Sequence, residues 1–147
     1  MQAKESRGLY VVVIDPRFTA TCESADLHLP ILPGQDVALF NGLIQHLEQN
    51  GYSDYDFITK YTQGLATALE SSQPEHSAEA VAERTGISLE KLTQFYEKFA
   101  DTEKVMTLFS MGVNQSSQGV DKANSIINCH LLTGKIGKLG AAPFSMT

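Results

Sequence analysis

Apolar residues recur along this chain with two different periods. Residues 9–14 form an unbroken run, Leu-Tyr-Val-Val-Val-Ile, rich in β-branched side chains. Such a run suits a strand buried on both faces, as in a parallel sheet. Asp15-Pro16 ends it, because proline has no N–H to give to a ladder. Residues 25–30 alternate apolar and polar, which predicts a short second strand. Residues 105–109 are a third apolar run and a third strand.

Between these strands the period lengthens. Val37, Phe40, Leu43, Ile44 and Leu47 recur at helical spacing after the Pro33-Gly34 turn. They predict a helix over 36–49, capped by Asp36 or Gly34 and stopped at Asn50-Gly51. Residues 54–61 predict a short amphipathic helix, and the polar stretch 62–77 a loop. A helix from Ser77 to Gly86 and another opening at Ser88, with Leu92, Phe95, Tyr96 and Phe99 on one face, predict a helical hairpin. After a polar turn over 110–119, Val120, Ala123, Ile127 and Leu131 mark a long helix ending at Gly134. Strands alternating with helices predict an α/β, Rossmann-like fold with a mostly parallel sheet flanked by helices. The 147 residues suit a single domain, 1–147. The chain opens on a strand almost at once and closes on a Gly/Ala-rich apolar tail. That pattern suggests a partial domain excised from a longer protein.

Composition removes several function classes. The formal net charge is -6 and no Lys/Arg-rich run exists, which argues against a nucleic-acid surface. The second helix of the hairpin also lacks a basic outer face. No apolar run approaches the roughly 20 residues that span a bilayer. Residues 1–8 are polar and do not form a secretory signal. Cys22 and Cys129 are not in CxxC spacing and make no disulfide framework, so a reducing, cytoplasmic setting is expected. The four histidines are too dispersed for a zinc site, and neither a GxSxG elbow nor a Cys–His pairing can be argued. No catalytic nucleophile and no metal ligand set is expected.

The candidate chemistry lies where apolar strands run into polar turns. Open α/β sheets bind nucleotide-like ligands there, outside the carboxyl ends of the strands. Asp15, just past the first strand, can accept hydrogen bonds from two ribose hydroxyls. It can equally be a turn-forming residue before proline. Arg17 and Thr19 lie within reach of ribose or phosphate, or serve as solvated charge and loop cap. Gln35 and Asp36 stand at a helix start. A carboxylate there can accept from the ring N–H and exocyclic amine of guanine, or simply cap the helix. In the 110–119 turn, Gly112 and Gly119 allow close backbone approach beside Asn114, Gln115, Ser116, Ser117 and Gln118. Neither GxxxxGK[ST] nor GxGxxG is present, so no complete phosphate-loop or dinucleotide fingerprint exists.

At these residues the chain resembles the molybdopterin oxidoreductases of the dimethyl sulfoxide reductase superfamily. IDPRFTATCESADLHLPILPGQDVALFNGL is similar to that family's second nucleotide-fold segment. SMGVNQSSQGVDKANSIINCHLLTGKIGKLGAAPFS looks most like the catalytic subunit of assimilatory nitrate reductase, with formate dehydrogenases close. The resemblance implies a parent enzyme that carries a bis(molybdopterin guanine dinucleotide) molybdenum cofactor and a 4Fe-4S cluster and reduces nitrate to nitrite. It implies that Asp15, Arg17 and Thr19 lie at the ribose and diphosphate of one guanosine arm. Gln35 and Asp36 would bind its guanine, and Met111, Gly112 and Gln115 would line the channel toward pterin and metal. The family's iron–sulfur Cys cluster and its molybdenum-ligating Cys are absent, and neither Cys22 nor Cys129 stands in such a motif. The chain is therefore expected to be an inactive fragment with no cofactor bound, partnered by the remainder of the enzyme. A formate dehydrogenase fragment and a free-standing nucleotide-binding or interaction module are the alternatives.

Overall fold

The computed structural model describes residues 2–70 and 76–146. In chain order its elements are α1 (Gln2–Arg7), β1 (Val12–Ile14), a 3-10 turn at Cys22–Ser24, β2 (Leu27–Leu29), α2 (Asp36–Gln49), α3 (Tyr55–Tyr61) and α4 (Leu65–Glu70). There follow α5 (Ala78–Thr85), α6 (Leu89–Asp101), β3 (Met106–Phe109), α7 (Met111–Asn114), α8 (Gly119–Leu132) and β4 (Ala142–Ser145). The fold is α/β with short parallel strands.

The strands form two parallel pairs. Val12 lies opposite Leu27 and Ile14 opposite Leu29 in the first. Met106 lies opposite Ala142 and Phe109 opposite Ser145 in the second. Among the described residues no ladder joins the two pairs. Helices hold them together instead, with α2 at the centre. Ala38, Leu39, Phe40, Leu43, Ile44 and Leu47 of α2 are all buried, packed among α5, α6 and α8. Gly42 has a packing reason: a Cβ there would run into the Tyr96 hydroxyl and come within 2.7 Å of Val81 Cγ2.

Local chemistry sets the helix ends. Asp54 Oδ1 accepts from Phe57 N–H and starts α3. Ser77 and Ser88 accept from Ala80 and Lys91 N–H, starting α5 and α6. Gly86 closes α5 in the left-handed region at φ 73°, and its N–H donates to Ala82 O. The helical hairpin expected over these residues is present.

Four elements depart from the sequence reading. Residues 2–7 are helical, and the expected loop 62–77 contains α4, whose Leu65 and Leu69 pack against the core one turn apart. Residues 71–75 of that loop lie outside the described residues. The 110–119 turn begins with one turn of helix, α7. The tail contains β4, which completes a strand–helix–strand crossover with β3 and α8.

The strands are also less buried than their composition suggests. β1 is half-buried throughout. β3 and β4 are covered on one face only: Thr107 and Phe109 point toward the helices, while Met106, Leu108 and Phe144 are each more than half exposed. A single helical layer covers the Thr107 side and leaves the other side open.

Behind that pair lies a buried polar staple. His130 of α8 is fully buried. Its ring lies 2.7 Å from Lys135 O and 2.8 Å from Thr107 Oγ1. A carbonyl can only accept, so Nδ1 carries the proton and Nε2 accepts from the Thr107 hydroxyl. Lys135 Nζ donates to Phe99 O at 2.6 Å and Ala100 O at 2.8 Å. It thereby satisfies carbonyls in the last turn of α6, where positive charge is favoured. Burial still pushes the Lys135 ammonium down to about 8, against the pull of Asp101.

Candidate functional site

The carboxyl ends of the strands carry the predicted site residues. Asp15 follows β1 directly. Its Oδ1 accepts from Arg17 N–H at 2.8 Å, the turn-forming arrangement, and its other oxygen has no partner among the described residues. Its carbonyl accepts from His28 Nε2 at 2.9 Å. Phe18 packs edge-on against the same imidazole. Arg17 is exposed, and Thr19 N–H lies 3.4 Å from the buried sulfur of Cys22. Asp15, Arg17 and Thr19 therefore occupy one compact loop, anchored to β2 through His28.

Gln35 and Asp36 arrive from the carboxyl end of β2 through the Pro33-Gly34 turn. Gly34 sits at φ 86°, with nothing within 4 Å of where a Cβ would be. Asp36 is the first residue of α2, and the residue before it, Gln35, makes no side-chain cap. The carboxylate is used differently: Oδ2 pairs with Lys122 Nζ at 2.8 Å. Gln35 Oε1 accepts from Arg84 Nε at 3.0 Å.

Met111, Gly112 and Gln115 follow β3 and are open to solvent. A Cβ at Gly112 would again meet nothing within 4 Å. The Gly112 carbonyl accepts from Lys122 Nζ at 3.3 Å. Asn114 of the same turn donates to Ser145 Oγ and Met146 O, tying it to the end of β4.

Two of the three predicted groups thus meet at one ammonium ion. Lys122 joins the Asp36 turn to the Gly112 turn, with only 6% of its side chain exposed. The Asp15 loop stands at the carboxyl end of the β1–β2 pair, beside the strand that leads to Gln35 and Asp36. No hydrogen bond joins it to those turns among the described residues. Two concavities lie elsewhere. One is a narrow groove of about 50 Å³ lined by Ile58, Leu65 and Leu131. The other is a shallow basin of about 520 Å³ around Lys4, Tyr10 and Lys98.

Lys122, His28 and Arg84 escaped the sequence reading. The signal for Lys122 was present. It stands at i, i+4 and i+7 with Ile126 and Cys129, on the buried stripe of α8. The apolar spacing alone places that stripe on Val120, Ala123, Ile127 and Leu131, yet Val120 is 74% exposed. Both cysteines are buried and free. Cys129 donates to Phe40 O, and burial pushes its thiol well up.

What the open glycine turns and flanking carboxylates can accommodate is a ligand rich in hydroxyl and amine donors. A model of the molybdopterin oxidoreductase family matches residues 1–147. The chain belongs to the molybdopterin oxidoreductase family. A nitrate reductase of Shewanella frigidimarina is 42% identical over 100% of the chain. An F420-dependent formate dehydrogenase alpha subunit of Methanococcus maripaludis is 34% identical over 95% of it. The chain spans only 16% and 20% of these relatives' lengths. Among solved structures, acetylene hydratase from Pelobacter acetylenicus superposes with a TM-score of 0.86. It covers 96% of the chain and 19% of its own length, at 24% identity, a likeness of fold. Among the described residues of this molybdopterin oxidoreductase chain, no helix is long and apolar enough to cross a membrane. No group of His, Cys, Asp and Glu among them could hold a metal ion.

Proposed function

We propose that this chain is a single α/β domain, 1–147, from the cofactor-binding region of a cytoplasmic, molybdenum-dependent nitrate reductase of the assimilatory type. The parent would reduce nitrate to nitrite with two electrons. It would hold a bis(molybdopterin guanine dinucleotide) molybdenum cofactor and a 4Fe-4S cluster, neither of them ligated by a residue of this chain. One observation carries the reading: relatives named for different reactions match the same stretch nearly end to end. A stretch that matches across different reactions fits a role in holding a common cofactor. The higher identity to nitrate reductase favours nitrate over formate.

The residues present fit the group. Gly34 and Gly112 leave the space that a close-lying ligand needs, and Asp15 and Asp36 each keep one carboxylate oxygen without a partner among the described residues. Asp15, Arg17 and Thr19 would hold ribose and diphosphate. Gln35 and Asp36 would hold guanine, and Met111, Gly112 and Gln115 would wall the channel toward the pterin. The bound cofactor supplies the two-electron chemistry, while these residues bind and orient it.

The test uses the full-length enzyme. Asp36→Asn turns one carboxylate oxygen into an amide donor, which then faces either the Lys122 ammonium or the guanine donors. Under an added nucleotide pyrophosphatase, which hydrolyses the diphosphate link, GMP should then be freed about tenfold faster, as expected when one charge-assisted hydrogen bond no longer holds the arm in place. Unchanged retention of GMP would sink the assignment of Asp36. A viologen-driven assay of the same preparation separates the substrates, because formate oxidation without nitrate reduction would replace nitrate reductase by formate dehydrogenase.

A further inference from the structure

The geometry points to Lys122 as the positioning residue that makes two separate turns into one cofactor-facing unit. The inference rests on the reading of Asp36 and Gly112 given above and adds a residue to it. Lys122 reaches from α8 to two acceptors on other elements: Asp36 Oδ2 at 2.8 Å, on the first residue of α2, and Gly112 O at 3.3 Å, on α7. Its ammonium is almost wholly withdrawn from water, and Asp36 is only 18% exposed. A buried ammonium needs its partners, so neither acceptor is free to drift.

The pairing has a directional effect. With Oδ2 taken, the Asp36 carboxylate is left with Oδ1 as an acceptor without a partner among the described residues. Its orientation is set by a bond from Lys122 of α8. The backbone of Gly112 is oriented by the same ammonium. Lys122 bonds directly to both turns.

The experiment treats the full-length holoenzyme with a nucleotide pyrophosphatase, which adds water across the diphosphate and frees GMP, and follows the GMP released per molybdenum over time. Lys122→Met keeps the length and apolar stem and removes the charge and donors. It should speed release of one of the two GMP equivalents about tenfold while the other leaves at the parent rate, again the scale of one charge-assisted hydrogen bond. Lys122→Arg should hold release within about twofold of the parent, because a guanidinium can still serve both acceptors. The double variant D36N/K122M should release GMP more slowly than the product of the two single effects, since Lys122 acts in part through Asp36.

Three outcomes overturn the inference: K122M releasing GMP at the parent rate, both equivalents leaving equally fast, or additive effects in the double variant. If K122M does not assemble, Lys122→Gln, which keeps a donor but not the charge, takes its place under the same criteria. D36N with unchanged release would instead sink the Asp36 reading itself. D36N fast and K122M unchanged would sink Lys122 alone.

Discussion

Gly42→Ala is expected to loosen the centre of the molecule by about 2 kcal/mol, within the usual range for overpacking. Alanine is the better helix former by about 1 kcal/mol, so propensity alone would stabilise α2. Sterics win here. The new methyl would meet the Tyr96 hydroxyl and Val81 Cγ2, and Tyr96 has nowhere to go. Its hydroxyl donates to Leu39 O at 2.7 Å, and its ring is flanked by His46 and Phe95 with centroids 5.5 and 5.7 Å away. Moving it breaks a buried hydrogen bond as well as a packed layer. Hydrogen exchange of the α2 amides in the full-length protein should accelerate about thirtyfold, the factor equivalent to 2 kcal/mol. Adding Tyr96→Phe, which removes the obstructing oxygen, should recover part of that protection. Equal protection in G42A and the parent would show that the approach is not tight.

His130→Leu is expected to cost more, about 3 kcal/mol. The volume is roughly kept, but Lys135 O and the Thr107 hydroxyl lose their shared partner inside the protein. Each orphaned buried group costs about 1–3 kcal/mol. The same residue makes stability depend on pH. Burial holds the His130 imidazole below its ordinary value of 6.5. As pH falls below about 6.5, the unfolded chain takes up a proton that the folded chain refuses. Stability is therefore full above that value and declines as the solution is acidified toward the folded-state value. His46, also held down by burial though opposed by Glu97 and Asp101, adds a slope of the same sign. Amide protection around α8 should fall between pH 7.5 and 5.5 in the parent and fall less in H130L. Equal acid sensitivity in the two would rule out His130 as a source.

The helices with strong stripes and punctuation were legible. Ser77, Gly86 and Ser88 each do in the structure what their residue types suggest. What escaped depends on partners far away in sequence. Lys122 and His130 are polar residues whose burial on α8 no local pattern signals, and Asp36, Gly112, Thr107 and Lys135 make that burial tolerable. β4 was hidden by Pro143. A proline is accepted there because Ala142 and Met146 donate to Val105 O and Phe109 O, and donors toward one neighbour alternate along a parallel strand, so the N–H that Pro143 lacks falls on the side away from β3. The aspartates were legible as candidates, but not their engagements. Asp15 does make the turn that its place before Pro16 suggests, whereas Asp36 meets a lysine instead of capping its own helix.

The division of the strands into two pairs has a consequence for assembly. Among the described residues each pair keeps open edges, and such an edge presents N–H and C=O groups ready to bond another strand. The seam of α2 against α8 is already packed, so the sheet is the part of this chain that accepts a further segment by backbone bonding alone.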